Sequence, residues 1–248
     1  MGAEMKTTIS SLIIIAYFFG FILPAHASGD KSNRTQDQFK EIMASRDPIA
    51  MWTLARHPYT PKEVLTELSR DEGEWSNARR GVANNPNAPK DILERLADDT
   101  DSSVRFNVGN NPNSPKNVLE KLSHDQVTVV RCIVSENPKT PKSTLHYLSR
   151  DPDSFVRMCL ASNTHTPKEV LTELSRDGAD IVGVQVGENR NTPRNVLISM
   201  AKDNSFAVRL SVAGNPNTPK KILFELLQTE GDNELMRRII LENATFRK

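Results

Sequence analysis

The segment Asn-Pro-Asn-Thr-Pro-Lys-Lys-Ile-Leu at 215–223 recurs, barely altered, at 57–65, 85–93, 111–119, 137–145, 163–171 and 189–197. Its second proline falls at Pro61, Pro89, Pro115, Pro141, Pro167, Pro193 and Pro219, so after a first step of 28 residues every step is 26. One supersecondary unit copied at that period predicts a repeat architecture in which each unit buries its apolar face against its neighbours. The expected fold class is all-α: a right-handed α-solenoid of about eight 26-residue helical repeats, with no β-sheet.

Within one copy, the residue before the second proline is Thr60, Ala88, Ser114, Thr140, Thr166, Thr192 or Thr218. A hydroxyl there, followed by proline, reads as an N-cap and first helical turn. Glu63 and Glu169 stand in capping-box position, and Asp91 supplies a shorter carboxylate. Leucine follows in every copy, at Leu65, Leu93, Leu119, Leu145, Leu171, Leu197 and Leu223, with a second large apolar residue three places on. Together with the branched residue that precedes most of these leucines, the spacing marks one apolar helix face.

A turn comes next, at Asp71, Asp99, Asp125, Asp151, Asp177 and Asp203. A second helical segment then carries an apolar-Arg-x-x-apolar pattern, as in Val104-Arg105-Phe106-Asn107-Val108. Its arginine slot reads Arg79, Arg105, Arg131, Arg157, Gly183, Arg209 and Arg238. A repeated Asp near a helix start beside a repeated Arg predicts a charge ladder that fixes how units stack, bonded within a repeat or across to the next. Asparagine returns at Asn85, Asn111, Asn137, Asn163, Asn189 and Asn215, where it can satisfy loop backbone groups that no helix satisfies. Gly178, Gly183 and Gly187 cluster in one copy and predict the weakest helix of the stack.

The ends differ. Lys6 precedes an apolar run from Leu12 to Leu23, and Ala25-His26-Ala27 supplies a small-x-small cleavage site, so residues 1–27 read as an export signal. That run is short for a membrane span, which leaves an uncleaved anchor as the alternative. Residues 28–33 read as a flexible lead, and 34–56 as a degenerate capping repeat with Phe39, Ile42, Ala50 and Leu54 on its apolar slots. Seven repeats then fill 57–248, the last one polar, with Arg237, Arg238, Glu242, Arg247 and Lys248.

The apolar fraction of 37% is low for a globule but suits units that each bury a narrow face. A net charge of +1, without any block of like charges, gives no footprint for nucleic acid. Cys132 and Cys159 lie in different slots of adjacent repeats. With neighbouring helix axes ~8–10 Å apart and disulfides needing Cα atoms within ~7 Å, two buried free thiols are expected, with an inter-repeat disulfide as the alternative.

The Asn-Pro-x-Thr-Pro turn, the paired leucines and the Asp…Val-Arg-x-x-Val signature resemble the leucine-rich repeat variant family of bacteria, over roughly residues 57–243. That resemblance implies units pairing an α-helix with a 3₁₀ helix. The second half of each unit is also similar to HEAT repeats, in which Asp and Arg form a ladder between units. The founding type of the variant family carries an N-terminal cysteine cluster for an iron–sulfur centre. This chain has no such cluster, so neither cofactor nor metal is expected.

No zinc spacing, nucleophile elbow, phosphate-cradling glycine loop or HExxH occurs in the sequence, and no enzyme activity is expected. His124 and His146 fall on adjacent first helices without an evident third ligand. The candidate binding residues are a series of cations after the second proline: Lys62, Lys90, Lys116, Lys142, Lys168, Arg194 and Lys220. A cation in the first helical turn opposes the helix dipole, so helix stability does not explain its recurrence. The stripe is either a tolerated solvated series copied by duplication or an anion-binding surface. The expected function is a non-catalytic exported scaffold, periplasmic or secreted and monomeric, holding another protein. The alternative is a binder of an anionic envelope polymer or acidic ligand through the stripe.

Overall fold

A computed structural model describes residues 41–42, 44, 47–70 and 76–247. The expected signal at 1–27, the lead at 28–33, Phe39 and Asp71 lie outside the described residues. The chain divides into two compact units, one reaching Val118 and one starting at Leu119. Both are built from helices alone among the described residues, in consecutive packed pairs of the solenoid type. No described helix is long and apolar enough to cross a membrane.

In the first unit the helices run α1 (Pro48–Arg56), α2 (Lys62–Leu68), α3 (Asn77–Ala83), α4 (Lys90–Leu96) and α5 (Ser102–Asn110), and the boundary falls within α6 (Lys116–Leu122). The second unit contains α7 (Thr128–Glu136), α8 (Lys142–Leu148), α9 (Ser154–Ser162), α10 (Lys168–Leu174) and α11 (Asp180–Glu188). It continues through α12 (Arg194–Met200), α13 (Phe206–Gly214), α14 (Lys220–Glu230), α15 (Glu234–Glu242) and α16 (Ala244–Arg247). From α2 to α15 the even-numbered helices are the first of each pair and the odd-numbered ones the second. Both members are α-helices, so the 3₁₀ member that the resemblance implies is absent from the described residues. Bonds of the i→i−3 kind appear at helix ends, as from the Arg70 amide to the Glu67 carbonyl at 3.0 Å, and in the turns between helices, as from the Thr140 amide to the Asn137 carbonyl at 3.0 Å.

The first helices bury their leucines fully: Leu65, Leu93, Leu119, Leu145, Leu171, Leu197 and Leu223 are at most 3% exposed. The second helices pack directly on one another, α1 on α3 and α3 on α5 in the first unit, and α7 through α15 in succession in the second. Small residues permit that approach. At Gly187 on α11 an added Cβ would lie 1.9 Å from Ser211 Oγ on α13, and at Gly183 it would lie 2.9 Å from a Val208 methyl. These glycines are therefore a packing requirement, and α11 is a helix despite its poor propensity.

The hydroxyls before the second prolines do not cap the helices that come after them. The first helices α2, α4, α8, α10, α12 and α14 start at the proline without a side-chain cap bond. Thr140, Thr166, Thr192 and Thr218 instead donate to carbonyls six residues back, Val134, Leu160, Val186 and Val212, each at 2.6 Å. The hydroxyl closes the end of the preceding second helix, because proline already presents a backbone that enters the next helix and carries no N–H.

Asparagine joins one repeat to the next. Asn111 Nδ2 donates to the Ala83 carbonyl at 2.7 Å and the Asn85 carbonyl at 2.8 Å, while its Oδ1 accepts from the Asn113 amide. In the second unit Asn189 binds the Ala161 and Asn163 carbonyls, and Asn215 the Gly187 and Asn189 carbonyls, at 2.6–3.0 Å. All are buried. Each side chain thus satisfies two orphan carbonyls of the previous repeat and one amide of its own turn.

Among the described residues every buried side-chain nitrogen and oxygen has a partner. Removing an asparagine breaks that closure. Replacing Asn189 with Ala strands two buried carbonyls and the Asn191 amide, so urea denaturation should show a loss of about 2–4 kcal/mol, comparable with Leu171→Ala at about 2–5 kcal/mol. A loss under about 1 kcal/mol for Asn189→Ala would mean that the ladder is not structural.

Candidate interaction surface

The repeated aspartates and arginines are consumed by the stack. Arg131 and Arg157 set their guanidinium Nε and Nη2 side-on against the next repeat's Asp151 and Asp177, at 2.6–3.0 Å. Their Nη1 donates to a carbonyl of their own repeat, Asp125 or Asp151. Arg79 pairs with Asp99 in the first unit in the same way. The two bonding modes open at the sequence level, within and between repeats, are both made by one planar fork.

The last pair departs from the sequence register. Arg209 bonds Glu230, because α14 runs for 11 residues instead of seven and displaces the acidic slot by one place and the asparagine slot by two. Asn243 consequently takes the ladder position, binding the Ala213 and Asn215 carbonyls. The residue six before it, Arg237, holds the arginine slot that was expected at Arg238.

Electrostatics reflect the geometry. Burial works against the charge on Asp177, yet hydrogen bonds from Arg157 and the Ala179 amide outweigh it and hold the carboxyl below its ordinary value. In the first unit, burial likewise opposes the charge on Asp101, but bonds from the Ser76 hydroxyl, the Ser103 amide and Arg80 bring its pKa down to about 2. Folding therefore favours the deprotonated form of both groups, and their contribution is complete above the ordinary carboxylate value of 3.8. Thermal melting should show stability falling as pH drops from about 4 to about 2. Asp101→Asn should reduce that dependence, and an unchanged slope in the variant would contradict the assignment.

Cys132 and Cys159 form a disulfide between α7 and α9, with Cα atoms 5.6 Å apart. This overturns the expectation of free thiols. Helix axes ~8–10 Å apart still bring facing Cα atoms within disulfide reach, since each lies ~2.3 Å off its axis. A one-place offset between the two slots, a separation of 27 rather than 26, lets the side chains meet. Closing a loop of that length is worth about 3–4 kcal/mol. The double variant Cys132→Ala/Cys159→Ala should lose about that much in urea denaturation, with helicity kept. A change near zero would count against the bond. Among the described residues, Cys132, Glu136 and Cys159 place ligand-type atoms within 4.8 Å of one another, but both sulfurs are bound in the disulfide. The His124 ring lies against Tyr147, 4.3 Å between centroids and tilted by 47°.

The seven cations occupy one register position, the first residue of the first helices, and all are exposed. Lys62, Lys90 and Lys116 lie in the first unit, and Lys142, Lys168, Arg194 and Lys220 in the second. Lys62 reaches Asp91 on the following first helix at 3.9 Å, and Lys220 lies 6.0 Å from the Phe246 ring centroid. Contacts so exposed contribute little to stability.

A second surface was missed by the sequence reading. Two residues before the arginine slot, the second helices of the second unit expose Val129 (48%), Phe155 (42%), Ile181 (49%) and Leu235 (40%), with Ala207 in the same place. The signal was available: the residue after each of these is buried, and adjacent residues of a helix do not share a face.

Residues 77–101 match the family model described as leucine rich repeat variant. The chain is also similar to a solved structure described as "a leucine-rich repeat variant with a novel repetitive protein structural motif", with 25% identity over 83% of this chain and 85% of that one and a TM-score of 0.57. No curated protein is significantly similar in sequence. The matched segment is similar to one leucine-rich repeat variant unit, and the chain is a helical repeat scaffold.

Proposed function

We propose that this scaffold is non-catalytic and holds another protein on its repeat surfaces. The observation that carries the reading is the division of labour among side chains. Repeated Asp, Arg and Asn, the residues that would otherwise furnish chemistry, are engaged in fixing one repeat on the next. What the units present outward is periodic: exposed cations on the first helices and exposed apolar side chains on the second. Periodic exposed rows on a rigid stack make extended binding surfaces. The leader-like segment at 1–27 supports export in a bacterial cell, periplasmic or secreted, with the mature chain monomeric and starting at Ser28.

A second reading is favoured by the exposure of the cation series: an anionic envelope polymer or acidic ligand bound along it. The two differ in salt dependence, since counterion release dominates only the latter. Photo-crosslinking in the producing cell, from positions on both helix layers, tests the first reading. One protein crosslinked reproducibly, with capture little changed by moderate salt, is expected. Capture of polymer alone, lost on charge reversal of Lys142, Lys168 and Lys220, would replace the first reading by the second. Amino-terminal sequencing of the exported chain tests cleavage after Ala27.

A further inference from the structure

The second helices of the second unit carry an apolar strip with an acidic border. Its exposed row is Val129, Phe155, Ile181 and Leu235, and one helical turn further along the same helices lie the half-buried Met158, Val184 and Leu210. A groove of about 480 Å³ lies in the same layer, lined among others by Val184, Ala207, Leu210 and Ile239. Scattered single apolar residues on a surface need no explanation, but a series repeated at one register position over successive helices does.

The exposed charges on these helices are unequal. Asp180 and Glu234 stand at helix starts and Glu136, Glu188 and Glu242 at helix ends, five carboxylates against two exposed cations, Arg237 and Arg238, both on α15. The carboxylates at the helix ends oppose the local dipole, so intrinsic helix stability does not account for them. Burial pushes the Glu136 carboxyl up. Arg131, Arg157 and Arg209 on these helices are part-buried in the ladder, Arg190 lies at the groove's edge, and the stripe cations of this unit stand on the other layer, at the starts of the first helices.

From the apolar row and its carboxylate border we infer that this face docks a cationic amphipathic segment of a partner protein, whose apolar side chains seat on Phe155 and Ile181 and whose Lys or Arg residues meet the bordering carboxylates. The inference rests on the scaffold reading and names the surface and partner chemistry for it. Rigidity supports it. The disulfide ties α7 to α9 beneath the strip, and the Asp–Arg and Asn ladders fix the spacing of the helices that carry it, so little ordering cost falls on this side of the complex.

The test uses the exported chain with its disulfide intact and a synthetic Leu/Lys amphipathic peptide as probe, followed by fluorescence anisotropy. Phe155→Ser/Ile181→Ser should weaken binding on the order of tenfold or more and leave helicity and melting temperature unchanged, because both side chains are exposed. Glu188→Lys/Glu242→Lys should weaken it as well and lower its salt dependence, while Lys142→Glu/Lys168→Glu should not weaken it. Equal binding of a Leu/Glu peptide, or full binding by the Phe155→Ser/Ile181→Ser variant, would overturn the proposal. In-cell crosslinking separates its failure from that of the scaffold reading. A protein captured only from the first-helix layer sinks this surface and leaves the scaffold standing, whereas no captured protein from either layer sinks both. Sequencing the peptide crosslinked from position 155 or 181 should give a segment mixing apolar residues with Lys or Arg, and an acidic or uncharged segment would contradict the charge argument.

Discussion

One buried asparagine per repeat sets what the rest of the structure can do. A chain of short helices has more ends than a globular helical protein of the same length, and every end leaves carbonyls and amides without partners. Water cannot serve those groups once neighbouring repeats close over them. The side chain of Asn189, with two donors and an acceptor, answers three of them at once, and the same bonds that satisfy the backbone also fix where the next repeat sits. Leucines supply the larger free energy, but burial is non-directional and does not select a register. The asparagine does.

The guanidinium ladder is the counterpart toward the other end of the second helices. Arg157 bonds Asp177 ahead and the Asp151 carbonyl behind, so each arginine measures the same distance that the asparagine measures. Where one arginine is replaced by Gly183, close packing of α11 on α13 takes its place, and the glycine is what makes room. The Cys132–Cys159 bond adds a covalent clamp between two of these helices. Three different devices therefore constrain one quantity, the step from one second helix to the next. A surface whose recognition elements recur once per step benefits from that constraint.

Much of this was legible in the sequence because a 26-residue period exposes each slot to repeated inspection. Helix pairs, buried leucines, ladder asparagines and the Asp–Arg ladder all follow from residue type and spacing alone. What failed depended on distances between neighbouring helices, which no single repeat encodes. The hydroxyl at Thr140 looks like a cap for the helix after it, and only the path of the preceding helix shows that Val134 is its acceptor. The cysteine pairing turned on the difference between axis separation and Cα separation. Arg237 was hidden by the longer α14, since the 26-residue step from Arg209 lands on Leu235 and leaves two neighbouring arginines to choose between. The exposed row at Phe155 and Ile181 was masked because apolar residues in a helix are read first as core.

Amide hydrogen exchange at the turns tests the account most directly. In a loop held only by its own geometry, the Asn191 and Asn217 amides would exchange at nearly the rate of an open chain. If the asparagine ladder fixes the repeats, both should exchange only through the opening that also releases the cores of α10 and α12, with matching protection. Rapid exchange at these two amides, beside slow exchange in the helices, would show that the ladder is a consequence of the stack instead of its cause.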